Sequence, residues 1–430
     1  MQQSVPLITK RASVIGDFRQ YVANPLDYLV RKQKLHGEIF RYRVATRELI
    51  SLNNPDHIQY VLQENYKNYN KGLAYKRLGL LLGNGILTSD GSFWLKNRRL
   101  AQPLFHKERI ESYAQVMREE VDLMLSEWKK RSHVSLTGEM TKLTLSIISR
   151  SLLGLDLEQR GSVIQRYLPQ LMREGIKRIT SPISVPLWLP TRTNRQFRQG
   201  IRTLKGLIKA MIHEKEAKKG NDLLSHLLEA RDDEGNTLSG QQLEDEIMTF
   251  FLAGHETTAV AAFWAIYELE SNPAVKEDFQ RALQSDNQEY IKALINEVLR
   301  YHSPIWAVSR IARGDDQIGE YQIRKGSSVI FSPYVVHRLP EYWEDPDTFN
   351  PKRFLSGEPR HKFSYFPFGG GPRVCIGNHF ALMELEIILR RIYENIDLEL
   401  LDDSFPGFDY SLTLRPGSDR QAKVTLRPAF

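Results

Sequence analysis

The chain has 430 residues, of which 41% are hydrophobic and 26% charged, and it contains one cysteine. This composition is typical of a globular protein with enough apolar residues for a large core that encloses a cofactor. A single cysteine excludes an intramolecular disulfide and any multi-cysteine zinc or iron–sulfur site. The net charge is +7, but the lysines and arginines are scattered and no nucleic-acid module is recognised, so we expect a solvated basic surface.

Short strands followed by long helices are predicted for the first half of the chain. Residues 38–64 are predicted to form two strands and a helix, and residues 92–230 to be mostly helical. The apolar, proline-rich segment 179–194 is predicted to be a loop that either packs on its own domain or covers a lipophilic ligand. No repeat or flexible linker is recognised, so the sequence predicts one domain over residues 1–430.

A long central helix is predicted to begin where Ser239, followed by Gln242, forms a capping box. It contains the most apolar segment of the chain, residues 247–267. The polar residues 255–258 at the centre of that segment disfavour a membrane span, because their burial in lipid would be costly. No apolar N-terminal segment is present either, so we expect no signal peptide, no membrane anchor and a cytoplasmic protein.

The remaining elements complete the predicted fold. A second amphipathic helix spans about 290–302, and residues 321–332 have strand character. Residues 410–428 alternate around a Pro-Gly turn, which predicts a hairpin. The predicted fold class is therefore mainly α with small β-sheets.

The single thiol, Cys375, lies in the glycine-rich segment FGGGPRVCIG, residues 368–377. One interpretation is a buried, inert thiol, and another is a nucleophile on a strand-to-helix elbow. The elbow requires a small residue where Arg373 stands, which disfavours a hydrolase. Glycines let a backbone approach a flat cofactor, and backbone amides can donate to a thiolate. The segment therefore favours a thiolate ligand to haem iron.

The pattern F-x-x-G-x-R-x-C-x-G resembles the signature of the cytochrome P-450 family, and its fixed positions are matched by Phe368, Gly371, Arg373, Cys375 and Gly377. The resemblance extends from about residue 25 to the C-terminus. It implies the cytochrome P-450 fold, with haem b (iron protoporphyrin IX) held between the central helix and the cysteine loop and with Cys375 as the iron ligand. It also implies a monooxygenase that inserts one atom of O2 into a C–H bond.

The central helix carries AGHETT, residues 253–258, which resembles the family's motif in that helix. An ordinary buried polar network would give a similar pattern. The resemblance implies that Ala253 and Gly254 leave space beside the haem, and that Glu256 and Thr257 are the catalytic residues that deliver protons. His255 occupies a variable position, and no role is assigned to it.

The second amphipathic helix carries Glu297 and Arg300, three residues apart and so on one face. A surface ion pair would have the same spacing. The resemblance implies that both join Arg353, in the segment PKRF, to form a buried structural triad. Lys352 stands where the family has a glutamate, and the consequence of this departure is not predicted.

Trp94 and Arg98 are four residues apart, so they lie on one face of a predicted helix. The resemblance implies that both contact a haem propionate, which suits charge-assisted hydrogen bonding. Arg310 and Arg373 are implied to do the same. His337 is either a further propionate contact or a buried histidine whose hydrogen bonds are satisfied within the protein.

The resemblance places Tyr75, Ile305, Val308 and Leu412 in the substrate pocket. The residues implied to line the pocket are mostly apolar, which predicts a lipophilic small molecule of the fatty-acid, terpenoid or carotenoid type. The sequence predicts neither which of these three types it is nor which carbon reacts.

The sequence contains no recognised flavin or nicotinamide module, so the resemblance implies a separate ferredoxin or flavodoxin as electron donor, together with its reductase. Such donors are usually acidic, which suits a basic surface near Lys96, Arg99, His361 and Lys362. Neither nucleic acid nor a membrane is expected as a partner.

Alternative functions are a haem-thiolate enzyme that uses peroxide or rearranges hydroperoxides, a haem-binding sensor without turnover, and the thiol hydrolase. The acid–alcohol pair Glu256–Thr257 disfavours the first of these. A test for turnover separates a sensor from an enzyme, and stoichiometric haem in the purified protein would exclude the hydrolase.

Overall fold

A computed structural model describes the chain except for residues 1–2, 10–14, 155–156, 181–184, 218–219, 221, 233, 358–359 and 428–430. Within this part, the helices α1 to α15 are, in chain order, Phe18–Ala23, Pro25–His36, Pro55–Gln59, Leu73–Leu82, Gly91–Ala101, Lys107–Trp128, Leu136–Leu153, Leu157–Thr180, Arg192–Ala217, Leu223–Glu229, Gly240–Ser271, Pro273–Gln284, Gln288–Tyr301, Pro333–Val336 and Asn378–Asn395. A π-helical turn, Tyr60–Glu64, continues α3, and five 3-10 turns lie at Tyr66–Asn68, Gln102–Phe105, Pro351–Phe354, Lys362–Ser364 and Gly371–Arg373.

The strands β1 to β13 of the described chain are Gln3–Ser4, Ile39–Val44, Arg47–Leu52, Tyr69–Lys71, His133–Ser135, Val308–Ala312, Asp316–Ile318, Tyr321–Ile323, Ser328–Phe331, Ile396–Leu400, Phe408–Tyr410, Leu414–Pro416 and Gln421–Leu426. They form a five-stranded sheet in the order β2-β3-β9-β6-β4, two three-stranded sheets, β1-β8-β7 and β10-β13-β5, and the pair β11-β12. The predicted fold class, mainly α with small β-sheets, is confirmed.

Helix α11 runs through the main hydrophobic core. It has 32 residues, so at 1.5 Å per residue it is about 48 Å long. The predicted capping box is present: the Gln242 amide donates to Ser239 Oγ (3.3 Å), and Gln242 Oε1 accepts from the Ser239 amide (2.8 Å). Packing against α7 and α15 accounts for its apolar composition. Within the described ranges, no helix combines the length and hydropathy needed to cross a bilayer.

The predicted strand segment 321–332 is divided between two sheets. β8 pairs with β1 and β7, whereas β9 is a member of the five-stranded sheet. Gly326 lies between them in the left-handed region (φ 84°), where a glycine carries no Cβ penalty, so the chain turns from one sheet to the other there.

The hairpin predicted around the Pro-Gly turn at 416–417 is wrong. β12 pairs with the preceding strand β11, while β13 is the central strand between β10 and β5. The Pro-Gly pair does turn the chain, but the strands on its two sides find other partners. β13 pairs with β10 in a register that sets Val424 opposite the buried Leu398, so burial against a distant strand decides the pairing.

Candidate functional site

The cysteine loop is shaped by the chain's own packing. The Cys375 amide donates to the Phe368 carbonyl (2.9 Å), which closes the loop before α15 begins. Gly371 has φ 66°, and a Cβ there would overlap the carbonyl of Leu62 in the π-helical turn. The sequence predicted that glycines are needed for close approach to a cofactor. At Gly371 the close approach is instead to the π-helical turn.

The thiol of Cys375 is accessible although protein surrounds it. The residue is exposed, yet burial among neighbouring groups raises the pKa of the thiol, against the Gly377 amide hydrogen bond and the Arg98 guanidinium, which lower it. Arg98 also donates from Nη1 to the carbonyl of Val374 (2.9 Å), which ties α5 to the loop. Coordination to a metal deprotonates a thiol outright, so these donors would support a thiolate ligand.

The central helix has one accessible face in the middle of its buried length. Between Leu243 and Leu269, the residues that are not buried are Ala253, Gly254 and Thr257. Their spacing puts them on one side of the helix, which therefore borders an interior space. The Thr257 hydroxyl donates back to the Ala253 carbonyl (2.7 Å).

Helix packing also requires a glycine at position 254. A Cβ added to it would lie 2.5 Å from Cδ1 of Ile148 on α7, so the missing side chain allows close helix packing. His255, which had no predicted role, is buried, and its Nδ1 pairs with the Phe251 carbonyl one turn earlier (2.9 Å). Burial lowers the pKa of His255.

An aromatic contact joins the cysteine loop to the central helix. The ring of Phe105 packs on that of Phe250 in α11, with centroids 5.3 Å apart. On its other side, Phe105 lies 3.9 Å from where a Cβ of Gly377 would be. Phe105 therefore connects the thiol loop to α11.

Glu256 is buried and is held by a segment that the sequence did not indicate. Its Oε1 accepts from Thr413 Oγ1 (2.7 Å) and from Nε (2.8 Å) and Nη2 (2.6 Å) of Arg415. Oε2 is buried and has no hydrogen-bond partner among the described residues. Neither Thr413 nor Arg415 was predicted, since no local pattern relates Arg415 to a residue 159 positions earlier.

Buried cations gather where the two predicted arginines meet. Arg373 Nη1 pairs with Asp90 Oδ1 (2.5 Å), and its guanidinium lies 5.0 Å from the centre of the Trp94 ring. Arg373 Nε is buried with no partner within the described structure. Burial lowers the pKa of Arg310, and the neighbouring Arg373 lowers it too. Lys71, which was not predicted, has its pKa lowered to about 7 by burial and by Arg373.

His337 is not available to a propionate, so that interpretation is wrong. Its Nε2 accepts from the Phe366 amide (2.9 Å), and its Nδ1 pairs with the Ser303 hydroxyl (3.1 Å). The side chain is fully buried, and burial lowers its pKa well below the usual range. His337 is the internally satisfied histidine that was the other interpretation.

Glu297 lies at the centre of a buried ion-pair network. Arg300 donates to both of its oxygens (2.7 and 2.8 Å), and Arg353 Nε lies 3.1 Å from Oε1. Lys352, the departure in the PKRF segment, points outward and pairs with Asp278 on α12 (2.8 Å).

The predicted substrate-pocket residues come from three parts of the chain. Tyr75 on α4, Ile305 and Val308 before and at the start of β6, and Leu412 before β12 are all half-buried. The Arg310 guanidinium lies 6.0 Å from the centre of the Tyr75 ring, so this pocket side adjoins the cation cluster.

The predicted loop 179–194 falls partly outside the described residues, at 181–184. In its described part, Trp188 is 75% exposed and Val185 48% exposed. Arg178 donates to the Val185 carbonyl (3.0 Å), and Asn194 donates to those of Pro186 and Leu189 (2.8 Å each). These bonds fix the loop backbone while its apolar tip faces outward.

These features fit haem b, a flat apolar ring with two carboxylates. An accessible thiol and an accessible helix face, connected through Phe105, suit a ring whose iron the thiol would hold. The excess of buried cations and the unpaired Arg373 Nε suit the carboxylates, because a buried charge requires a partner. Cys375 would hold the iron, and Arg310, Arg373 and Trp94 would border the carboxylates.

Comparison with known proteins gives the family. A model described as cytochrome P-450 matches residues 6–419. The chain is 33% identical over 392 residues to cyclooctatin synthase of Streptomyces melanosporofaciens, with 86% of this chain and 84% of that protein covered. It is 28% identical over 413 residues to the protein LUTEIN DEFICIENT 5, chloroplastic, of Arabidopsis thaliana, covering 86% and 69%.

A solved structure gives the same answer for the fold. The crystal structure of the cytochrome P450DA heme domain matches with a TM-score of 0.91 and 26% identity, covering 100% of this chain and 98% of that one. The chain therefore belongs to the cytochrome P-450 family of monooxygenases, and its cofactor is haem b.

Proposed function

We propose that this cytochrome P-450 inserts one oxygen atom of O2 into a C–H bond of a lipophilic substrate, with electrons from a separate ferredoxin or flavodoxin and its reductase. The proposal treats residues 1–430 as one domain and places the enzyme in the cytoplasm, where its single cysteine stays reduced. The observation that carries it is the accessible Cys375 thiol, whose loop is connected through Phe105 to α11, the helix with the accessible face.

Haem b, when bound, supplies the redox chemistry of oxygen activation and insertion. The protein's part begins with Cys375, whose thiolate would hold the iron and would supply electron density that favours O–O cleavage. The Gly377 amide and the Arg98 guanidinium favour the thiolate over the thiol. Arg310, Arg373 and Trp94 would orient the ring through its carboxylates.

Protons are proposed to reach the reacting oxygen through Glu256 and Thr257. Thr257 lies on the accessible face of α11, and its hydroxyl can leave the Ala253 carbonyl to donate into the interior space. Glu256 is next to it in the chain, buried, with Oε2 free to take up and release a proton. The rest of the buried helix keeps bulk water out.

The substrate is proposed to be of the fatty-acid, terpenoid or carotenoid type. Tyr75, Ile305, Val308 and Leu412 present apolar surface from separate elements, and pockets of this kind bind apolar molecules. Two relatives have names that refer to cyclooctatin and to lutein. A spectral binding screen should therefore contain these two compounds as well as fatty acids of increasing length.

Electron transfer is proposed to use the basic residues near the thiol loop. Lys96 lies 3.8 Å from Asp232, His361 lies 3.1 Å from Asp56, and the Lys362 ammonium donates to Gln63 (3.3 Å). These contacts are on partly exposed groups, so the cations remain available to an acidic donor. Reversing the charge at Lys96 and Arg99 should slow reduction by ferredoxin more at low salt than at high salt. The matched control is Lys209→Glu on α9.

The direct test of the proposal is turnover. Purified protein is supplied with a surrogate ferredoxin, its reductase and a reduced nicotinamide in air, and the products of each bound lipid are analysed. A hydroxylated product that contains one 18O atom from 18O2 is expected. Oxidation that requires peroxide instead, or no product from any ligand that shifts the Soret band, would favour the peroxide-using enzyme or the sensor.

A further inference from the structure

One side of Glu256 is fully engaged and the other is not. Thr413 Oγ1 and two nitrogens of Arg415 all donate to Oε1, at 2.6 to 2.8 Å. Oε2 of the same carboxylate is buried and has no partner among the described residues. The three donors therefore fix which of the two oxygens is left to exchange protons.

The segment that supplies these donors is itself held to the central helix. The indole N–H of Trp264 on α11 donates to the Leu414 carbonyl (2.9 Å), and the Leu414 amide donates to the Pro304 carbonyl (2.9 Å). The Trp306 indole donates to the Ser411 carbonyl (3.2 Å). These hydrogen bonds hold the backbone next to Arg415 in place, so they fix the position of Arg415 along α11.

Arg415 spans the distance from the buried acid to the surface. The Glu256 side chain is 5% exposed and the Arg415 side chain 32% exposed. A buried carboxylate is costly unless it is paired and hydrogen-bonded, and here the pairing group is a cation that stays in contact with water. The ion pair thus offsets the cost of burying this carboxylate.

We propose that Arg415 is a positioning residue for proton delivery: by occupying Oε1 of Glu256 it directs Oε2 toward the oxygen-reduction site. This inference rests on the proposed function, in which Glu256 relays protons. Oε2 takes up a proton from solvent water and then releases it to the oxygen-reduction site, so Glu256 ends as the carboxylate that it was at the start.

The test compares Arg415→Gln with Arg415→Lys in the full-length haem protein. Rates are expressed per haem, counted from the carbon-monoxide spectrum of the reduced protein. For Arg415→Gln we expect kcat and product per O2 consumed to fall by about tenfold or more, within the range that a misplaced reacting group costs. KM and the spectral dissociation constant of the substrate should stay within about twofold, and Arg415→Lys should recover most of the coupling.

The matched control is Arg427→Gln, which removes an ion pair of the same length, 2.6 Å to Asp397, without touching Glu256. It should retain native coupling. A double-variant cycle with Glu256→Gln adds a second criterion: once Glu256 is neutral, Arg415→Gln should cause no further loss.

The outcomes separate the inference from the proposal beneath it. Native coupling in Glu256→Gln would contradict the proton route itself and the role of Arg415 with it. Loss of coupling in Glu256→Gln but not in Arg415→Gln would contradict the inference alone. So would an equal loss from Arg415→Gln in both backgrounds, because Arg415 would then act independently of Glu256.

Discussion

Two buried glutamates, each paired with arginine, differ in one respect. At Glu297 on α13, Oε1 accepts from Arg300, from Arg353 and from the Asn350 amide, and Oε2 accepts from Arg300. At Glu256 on α11, all identified donors converge on Oε1, and Oε2 is unpaired within the described structure. A carboxylate with both oxygens engaged suits a structural role, whereas one with a buried, free oxygen retains the capacity to exchange protons.

The largest expected effect is at Glu297, where both carboxylate oxygens accept hydrogen bonds. Glu297→Gln leaves Arg300 and Arg353 as buried charges without a counter-charge, and breaking such a pair costs about 3–5 kcal/mol. We expect the free energy of unfolding in denaturant to fall by that amount, with loss of haem on purification. Native stability in this variant would contradict the structural role.

The next largest effect is expected at Glu256, and it is an effect on activity. Glu256→Gln should lower coupled hydroxylation by about 100-fold, or about 2.7 kcal/mol, the lower part of the range for general acid–base groups. Its free energy of unfolding should change by less than about 1 kcal/mol, because its partner Arg415 is half-exposed and keeps water contact. Product per O2 consumed tests the expected loss of coupling, and denaturant unfolding of the same preparation tests the expected stability. A large loss of stability with unchanged coupling would reverse the assignment of the two glutamates.

Thr257→Ala provides an independent check on the same route. It removes the hydroxyl on the accessible face of α11 but no buried packing. We expect O2 and reduced nicotinamide to be consumed at a rate within about threefold of native, while product per O2 consumed falls by about tenfold as protons arrive at the wrong place. The peroxide formed in the reaction mixture measures the O2 that is consumed without product. The Thr257→Ser variant, which keeps the hydroxyl, should restore coupling.

A third buried carboxyl, Glu384 on α15, has no arginine beside it among the residues that the structure describes. Burial raises its pKa from 4.5 to about 8. The folded state therefore holds this proton more tightly than the unfolded chain, so the stability that the proton contributes is lost as the pH rises from about 4.5 through 8.

Glu384→Gln should remove that part of the pH dependence. The free energy of unfolding of the variant, relative to native protein, should be higher at pH 8 than at pH 5 by on the order of 3 kcal/mol. Denaturant unfolding at the two pH values measures it. Parallel pH profiles for native and variant would show that Glu384 does not titrate in this range.

The smallest effect is expected outside the buried network. Lys352 is 63% exposed and pairs with Asp278 on the surface, and exposed pairs contribute less than about 1 kcal/mol. The free energy of unfolding of Lys352→Met should therefore lie within about 1 kcal/mol of that of the native protein. A loss comparable to that of Glu297→Gln would place Lys352 inside the structural network after all.

Contiguous patterns in the sequence predicted the parts of the molecule that depend on local interactions. These parts are the cap at Ser239, the helical and strand segments and the cysteine signature. Each is a pattern of residues that are close together in the sequence, so the chemistry of neighbouring residues determines it. Helical spacing places Ala253, Gly254 and Thr257 on one face, and the family resemblance implied that this face leaves space beside the haem.

Contacts between distant segments could not be predicted from the sequence. Arg415 reaches Glu256 across 159 residues, and Arg373 reaches Asp90 across 283. The pairing of β13 with β10, in place of a hairpin, and the internal partners of His337 have the same origin. In each case the partner is chosen by how helices and strands pack, and a single sequence carries no record of that choice.

The central claim is a bond from the Cys375 sulfur to haem iron, and one spectrum tests it directly. The purified protein is reduced, treated with carbon monoxide and compared with Cys375→Ser. Native protein should bind haem stoichiometrically and give the red-shifted Soret band of a thiolate-ligated carbon-monoxide complex, and the variant should lose that band. The band of a histidine-ligated haem in the native protein, or no haem at all, would contradict the account.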